Sequence, residues 1–253
     1  RKKGVARLAE IMGRDMWNFF RAGFLAFLGC LPFIIGMFFA VETHALLFML
    51  LAGIIGGLIA GPELSAMADT VLRSLRDEPG YWWETYRRVW KRNARESLVP
   101  GMLTGLVLSM QIFTLFHMSV ISAGIVTWVL LILSFVATLG LESYIWPQIA
   151  LLDQPLSLTL KNSINCMIAF LPHALAAAIV QVLFWGVVIL CMPLGLFLML
   201  IFGFWFVTEV SCQIVYGDID RVFHIEENIR KMKDAELEAA LKEDYADDDT
   251  PEE

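Results

Sequence analysis

The chain has 253 residues, 58% of them hydrophobic, with a mean hydropathy of +0.65 and a net charge of −7. A soluble domain is apolar over about 45–50% of its residues, and several runs here reach the roughly 20 residues that match a bilayer core. The acidity belongs to the end of the chain, where Ile225–Glu253 holds 12 acidic and four basic residues. The remainder is close to neutral, which gives no support to nucleic-acid binding, since that needs a basic face.

In chain order, Arg1, Lys2, Lys3, Arg7, Arg14 and Arg21 form a cationic lead-in, with Trp17, Phe19 and Phe20 at the position of an interfacial aromatic belt. The first predicted span is 22–41. It is too long for a cleaved leader and lacks a small-residue cleavage site, and Pro32 inside it predicts a kink. The second span, 45–64, places Gly53, Gly57 and Gly61 on one face. These two overlapping G-x-x-x-G motifs allow close approach of another helix, from the same chain or from a second copy in a homo-oligomer. The helix is predicted to continue to about Leu75, before the turn Asp77-Glu78-Pro79-Gly80.

Residues 81–95 then read as an amphipathic interfacial helix. Trp82, Trp83, Tyr86, Val89 and Trp90 recur at helical spacing, with Arg87, Arg88, Lys91, Arg92 and Arg95 between them. Such a helix serves as an anchor in anionic lipid or as a docking helix for a protein partner. Its candidate partner or lipid contacts are Trp82, Trp83, Arg87, Arg88, Trp90, Lys91 and Arg92.

Spans three and four are expected at 98–118 and 122–141, joined by a turn near His117–Ser122. After Pro147, Asp153 and Pro155, a helix capped by Ser157 or Thr159 leads into span five, 166–190. Span six is 194–216, after Met192-Pro193. Residues 217–253 form an acidic tail, with a helix expected over Ile225–Lys242 and disorder from Asp244. The expected fold is therefore all-α, a six-span transmembrane domain over 1–216 with an interfacial helix and a tail. All 19 Lys and Arg fall in the lead-in, the two connections after spans two and four, and the tail. The positive-inside rule makes these sides cytoplasmic, with both termini inside.

Ionisable groups inside a membrane are functional suspects. Arg21, Glu63, Glu142, Lys161 and Glu209 form a candidate intramembrane polar cluster, in which Glu63 and Glu209 are expected to pair with Arg21 and Lys161. A weak internal repeat is also legible. Arg21 precedes Leu31-Pro32 by the same distance at which Lys161 precedes Leu171-Pro172, and Glu63 and Glu209 each sit late in the following helix. His117 is expected to be solvated in an outer turn, and His173 follows Pro172. Cys30, Cys166, Cys191 and Cys212 lie in apolar runs as packing residues, so no metal or cofactor is expected. No catalytic motif is present in the sequence, and no enzyme activity is expected.

Three stretches together resemble the YesL family of bacterial membrane proteins: Gly13–Phe33, Gly61–Gly101 and Tyr144–Pro172. They cover about a third of the chain. The middle one, with its Gly-Pro, long helix, Arg-Asp-Glu turn and aromatic-basic helix, is the most specific. The resemblance implies a bacterial inner-membrane protein, accessory to carbohydrate import by an ABC-type permease and its ATPase. The residues also leave open an autonomous small-molecule transporter or channel built around the inner-leaflet glutamates.

Overall fold

The computed structural model describes residues 4–78, 80–120, 124–191 and 193–248. Arg1, Lys2 and Lys3 of the lead-in, Pro79 of the turn, residues 121–123, Met192 and residues 249–253 lie outside the described residues. Among those described there are helices and no strands. We number the helices α1 (Val5–Thr43), α2 (Leu46–Leu75), α3 (Trp82–His117), α4 (Ile125–Leu151), α5 (Leu156–Ala169), α6 (Leu171–Leu190), α7 (Leu194–Phe223) and α8 (Ile225–Asp248). Six of them, α1–α4, α6 and α7, are long and apolar enough to cross a bilayer. The chain is an all-α, multi-pass membrane protein.

Two of these helices are much longer than a bilayer requires. α1 has 39 residues and α3 has 36, which at 1.5 Å per residue gives about 58 Å and 54 Å against a hydrocarbon core of about 30 Å. Their excess lies at the end that carries Arg7, Arg14, Arg87, Arg88 and Lys91, hereafter the cationic end. The amphipathic stretch is helical from Trp82, after Tyr81 in extended backbone, and it forms the first turns of the same rod that becomes span three. Pro32 and Pro100 lie within unbroken helices.

The main core is also at this end. Ile11 and Phe19 of α1, Met67 and Leu72 of α2, Tyr86 of α3 and Ile145 of α4 are buried in one cluster. Toward the opposite end most large apolar side chains are exposed, as a lipid-facing surface requires; Leu46, Leu47, Leu130 and Leu133 are examples.

α2 and α3 are held at backbone distance. Gly53 faces Gly105 and Leu106, Gly57 faces Gly101 and Met102, and Gly61 faces Ser97 and Gly101. The glycine face that the sequence leaves open to a second copy is thus covered by α3 of the same chain. On its other side Gly56 lies against Phe33 of α1, and Gly36 of α1 lies against Ala52. Where the three helices converge, Ala52–Gly56 widens into a π-helical turn.

The second half echoes the first. α2 and α7 are both 30 residues long, both hold a π-helical turn near their start (Ala52–Gly56 and Met199–Gly203), and both carry their glutamate beyond it. The helices before them differ. α1 runs through Leu31-Pro32 unbroken, whereas the chain breaks at Phe170 (φ −115°, ψ 42°), so α5 and α6 are separate rods. α5 opens after Pro155, not with a Ser157 or Thr159 cap; the fixed φ of proline suits a helix start.

The chain divides into two compact units, Arg1–Tyr216 and Gly217–Glu253. In the second, the Asp220 side chain accepts from the Glu226 backbone N–H at 2.8 Å, and Lys231 pairs with Glu227 at 2.7 Å. Where the sequence predicts disorder from Asp244, the helix continues to Asp248. The Glu, Ala, Leu and Lys content of the stretch up to Glu243 favours helix.

Gly57→Ala should lower stability by about 1–3 kcal/mol through overpacking. Gly186→Ala, at a position open to space, should be neutral or raise stability by up to about 1 kcal/mol. Unfolding of both variants in mixed micelles measures the difference.

Candidate functional site

Glu63 projects from α2 toward α1 and α3. Gly29 of α1 supplies the room, since a Cβ there would collide with the Glu63 side chain. Its two carboxyl oxygens accept from α3: Tyr86 Oη–H donates to Oε2 at 2.5 Å, and Trp90 Nε1–H donates to Oε1 at 2.9 Å. The expected pairing with Arg21 or Lys161 is therefore corrected. Neutral donors from the amphipathic stretch, not a cation, hold Glu63. Cys30 of α1 is within electrostatic reach of both Glu63 and Glu142. Glu142 has Trp146, one turn on, as its hydrogen-bonding neighbour, and its Oε1 is buried without a partner among the described residues.

The remaining members of the predicted cluster stand apart. Arg21 is exposed, with its guanidinium 4.9 Å from the Trp17 ring centroid and 5.6 Å from that of Trp82. Lys161 is exposed on α5. Glu209 is 0% exposed, and neither of its oxygens has a hydrogen-bond partner among the described residues. The expected Glu209–cation pair is not formed, because Arg21 and Lys161 both turn outward.

Two groups of cations at the cationic end are treated very differently. Arg7 and Arg14 of α1 and Arg73 and Arg76 at the end of α2 are neutralised. Arg7 donates to both oxygens of Asp77 at 2.8 Å and to the Leu75 carbonyl. Arg14 pairs with Asp77 and Asp15 and donates to the Ser74 carbonyl. Arg73 pairs with Asp69 at 2.7 Å, and Arg76 with Glu78 at 2.8 Å. This net ties the start of α1 to the turn after α2. Burial opposes the charge on Asp77, but the hydrogen bonds from Arg14 and Arg7 outweigh it and hold its carboxyl down to about 2.

The cations of α3 are not neutralised. Arg87, Arg88, Lys91 and Arg95 are exposed, and none has an ion pair or hydrogen bond among the described residues. Trp83, 50% exposed, continues the row of Arg87, Lys91 and Arg95 at four-residue spacing. The other predicted contact residues face elsewhere. Trp90 is turned onto Glu63, Trp82 is half-buried, and Arg92 donates to Asn93 and to the Ala150 carbonyl of α4.

A cavity of about 60 Å³ opens between α1, the end of α2 and the start of α3, lined in part by Asn18, Thr70, Arg73, Trp82, Thr85 and Tyr86. A wider cleft of about 300 Å³, lined by Arg14, Asp15, Asn18, Asp77, Glu78 and Gly80, shares part of its wall. No group of three or more His, Cys, Asp or Glu side chains is placed to hold a metal ion among the described residues.

His117 differs from its expected solvated state. It is 9% exposed and lies 2.7 Å from His44. A signal for this exists in the sequence, since His44 occupies the other outer turn of the same half. The complementary small-residue row Ser97, Gly101, Gly105 and Ser109 on α3 is likewise a sequence pattern, and it marks the face that receives the glycines of α2.

No family model, curated protein or solved structure matches the chain. The YesL resemblance rests on Gly13–Phe33, Gly61–Gly101 and Tyr144–Pro172 alone.

Tyr86→Phe should cost about 1–3 kcal/mol by removing a donor from a half-buried carboxylate. Combined with Glu63→Gln the loss should be non-additive by at least about 0.5 kcal/mol, measured as a double-mutant cycle. Asp77 supplies a pH test. Its folded-state value lies below the ordinary carboxylate value of about 3.9, so its stabilisation is complete above that pH and is lost as pH falls toward 2. Wild-type melting temperature should fall over that window by more than that of Asp77→Asn.

Proposed function

We propose that the protein is an accessory or regulatory membrane protein with no chemistry of its own. It would sit in a bacterial cell membrane with both termini cytoplasmic and associate with an ABC-type carbohydrate importer. The cation distribution supports the orientation through the positive-inside rule, and the YesL resemblance supports the setting. The observation that carries the reading is the exposed cation row of α3. Arg87, Arg88, Lys91 and Arg95 have no internal partner among the described residues, while the neighbouring Arg7, Arg14, Arg73 and Arg76 on α1 and at the end of α2 are neutralised. The row also lies on a rod longer than a span requires, which on this reading lets its outer members stand clear of the headgroups. An uncompensated, rigid row of cations is suited to steering and orienting an acidic protein surface.

A transporter reading keeps one observation in its favour, the fully buried Glu209, whose carboxyl oxygens have no hydrogen-bond partner among the described residues. Affinity capture of the tagged protein in mild detergent separates the two. Recovery of permease and ATPase subunits, reduced at least tenfold when Arg87, Arg88, Lys91 and Arg95 are all changed to Glu, is the expected result. A partner-free protein that gives solute flux in liposomes, abolished by Glu209→Gln, would replace this reading with transport.

A further inference from the structure

At the end of the bundle opposite the cations, His44 Nδ1 and His117 Nε2 lie 2.7 Å apart. The partners of each ring fix where the protons are. His117 Nδ1 is 2.7 Å from the Phe113 carbonyl oxygen. A carbonyl only accepts, so Nδ1 carries the hydrogen. In the neutral ring Nε2 then has none and accepts from His44 Nδ1–H. The second nitrogen of His44, Nε2, is left as the unprotonated one, on an exposed side chain. The arrangement is held on three sides. Phe113 stacks on His117 with ring centroids 4.0 Å apart, the two imidazoles meet edge to face at 4.9 Å, and His44 sits at φ 54°, a left-handed conformation uncommon for a residue with a side chain.

We infer that His44 and His117 together form a binding site for a single proton. The first proton adds to His44 Nε2. It leaves the His44 Nδ1–H···Nε2 His117 bond intact and makes it charge-assisted, hence stronger. A second proton would have to occupy His117 Nε2, where it would point at the Nδ1–H of His44 and break the bond. Both rings also stand at helix C-termini, His44 at that of α1 and His117 at that of α3, where the helix dipole favours a positive charge; the limit to one proton comes from the hydrogen bond between the rings. The surroundings add little. Glu42 on α1 is exposed two residues before His44. Among the described residues, Leu46–Leu51, the last two turns of α3, residues 118–120 and the first turns of α4 bring no other charged or titratable side chain. Uptake of one proton on this face therefore clamps the α1–α2 corner to the end of α3, and does not release it. The site is independent of the cation row and of the accessory reading.

The test is nitrogen-15 NMR of histidine-labelled full-length protein in micelles from pH 8 to pH 5, which brackets the ordinary imidazole range of about 6.5. Resonances are assigned with His44→Ala and His117→Ala, and His224, exposed in the tail, serves as the independent reference. In wild type, His44 Nε2 should move to its protonated position while His117 Nε2 stays unprotonated. In His44→Ala, His117 should take up the proton within the same window. Protonation of both rings together in wild type, or a His117 response unchanged by His44→Ala, would overturn the inference.

Discussion

Where Gly53, Gly57 and Gly61 of α2 meet Ser97, Gly101 and Gly105 of α3, no side chain separates the two backbones. Between helices in lipid there is little hydrophobic driving force, so this approach and the dispersion contacts it permits supply the association. It has a geometric consequence as well. Two helices pinned along three successive turns have a fixed direction, and α3 carries that direction unbroken from His117 back to Trp82. The aromatic-basic stretch therefore leaves the span as a rigid rod. Tyr86 and Trp90 arrive at Glu63 because the glycine contact has already set the register, and Gly29 on α1 leaves room for the carboxylate between them.

The same rigidity divides the cations into two classes. Arg7 and Arg14 of α1 and Arg73 and Arg76 of α2 close on Asp15, Asp69, Asp77 and Glu78, which joins the start of α1 to the turn before α3. Partly buried pairs of this sort contribute more to geometry than to net stability. The four exposed cations of α3 form no ion pair among the described residues, with Glu84 or with any other acid, and a fixed helix cannot turn them away from solvent. Structure and composition thus concentrate uncompensated charge on one helix face. On the accessory reading, that face is where an acidic partner is recognised.

Much of the architecture is legible in the sequence. Six apolar runs of bilayer length, a G-x-x-x-G face and the turn at Asp77 are local signals, and each corresponds to an element of the fold. Non-local relations are harder to read. Whether residues 81–95 lie flat or stand up depends on the backbone at Leu98, where nothing in composition marks a turn or its absence. Sequence spacing points to cations as the partners of Glu63, and it misleads because spacing on separate helices does not give the angle at which side chains project. The Ser97–Ser109 row is hidden because serine there looks like an ordinary polar residue, although its pairing with the glycines is a small-residue pattern. His117 reads as a solvated turn residue because its partner, His44, lies 73 positions away in the chain.

The reading of α3 as a docking helix depends on its cationic part standing out of the membrane as an extension of the span. Spin labels placed singly at Trp83, Arg87, Lys91, Arg95, Val99, Leu103 and Val107 in liposomes, read by their relative accessibility to oxygen and to a polar relaxation agent, test this directly. Labels at Trp83, Arg87 and Lys91 should be fully water-exposed. Depth should then rise steadily from about Val99, at about 6 Å per four residues. Labels at Trp83, Arg87, Lys91 and Arg95 that all report one shallow headgroup depth would show a helix lying flat on the lipid, and would contradict a standing rod.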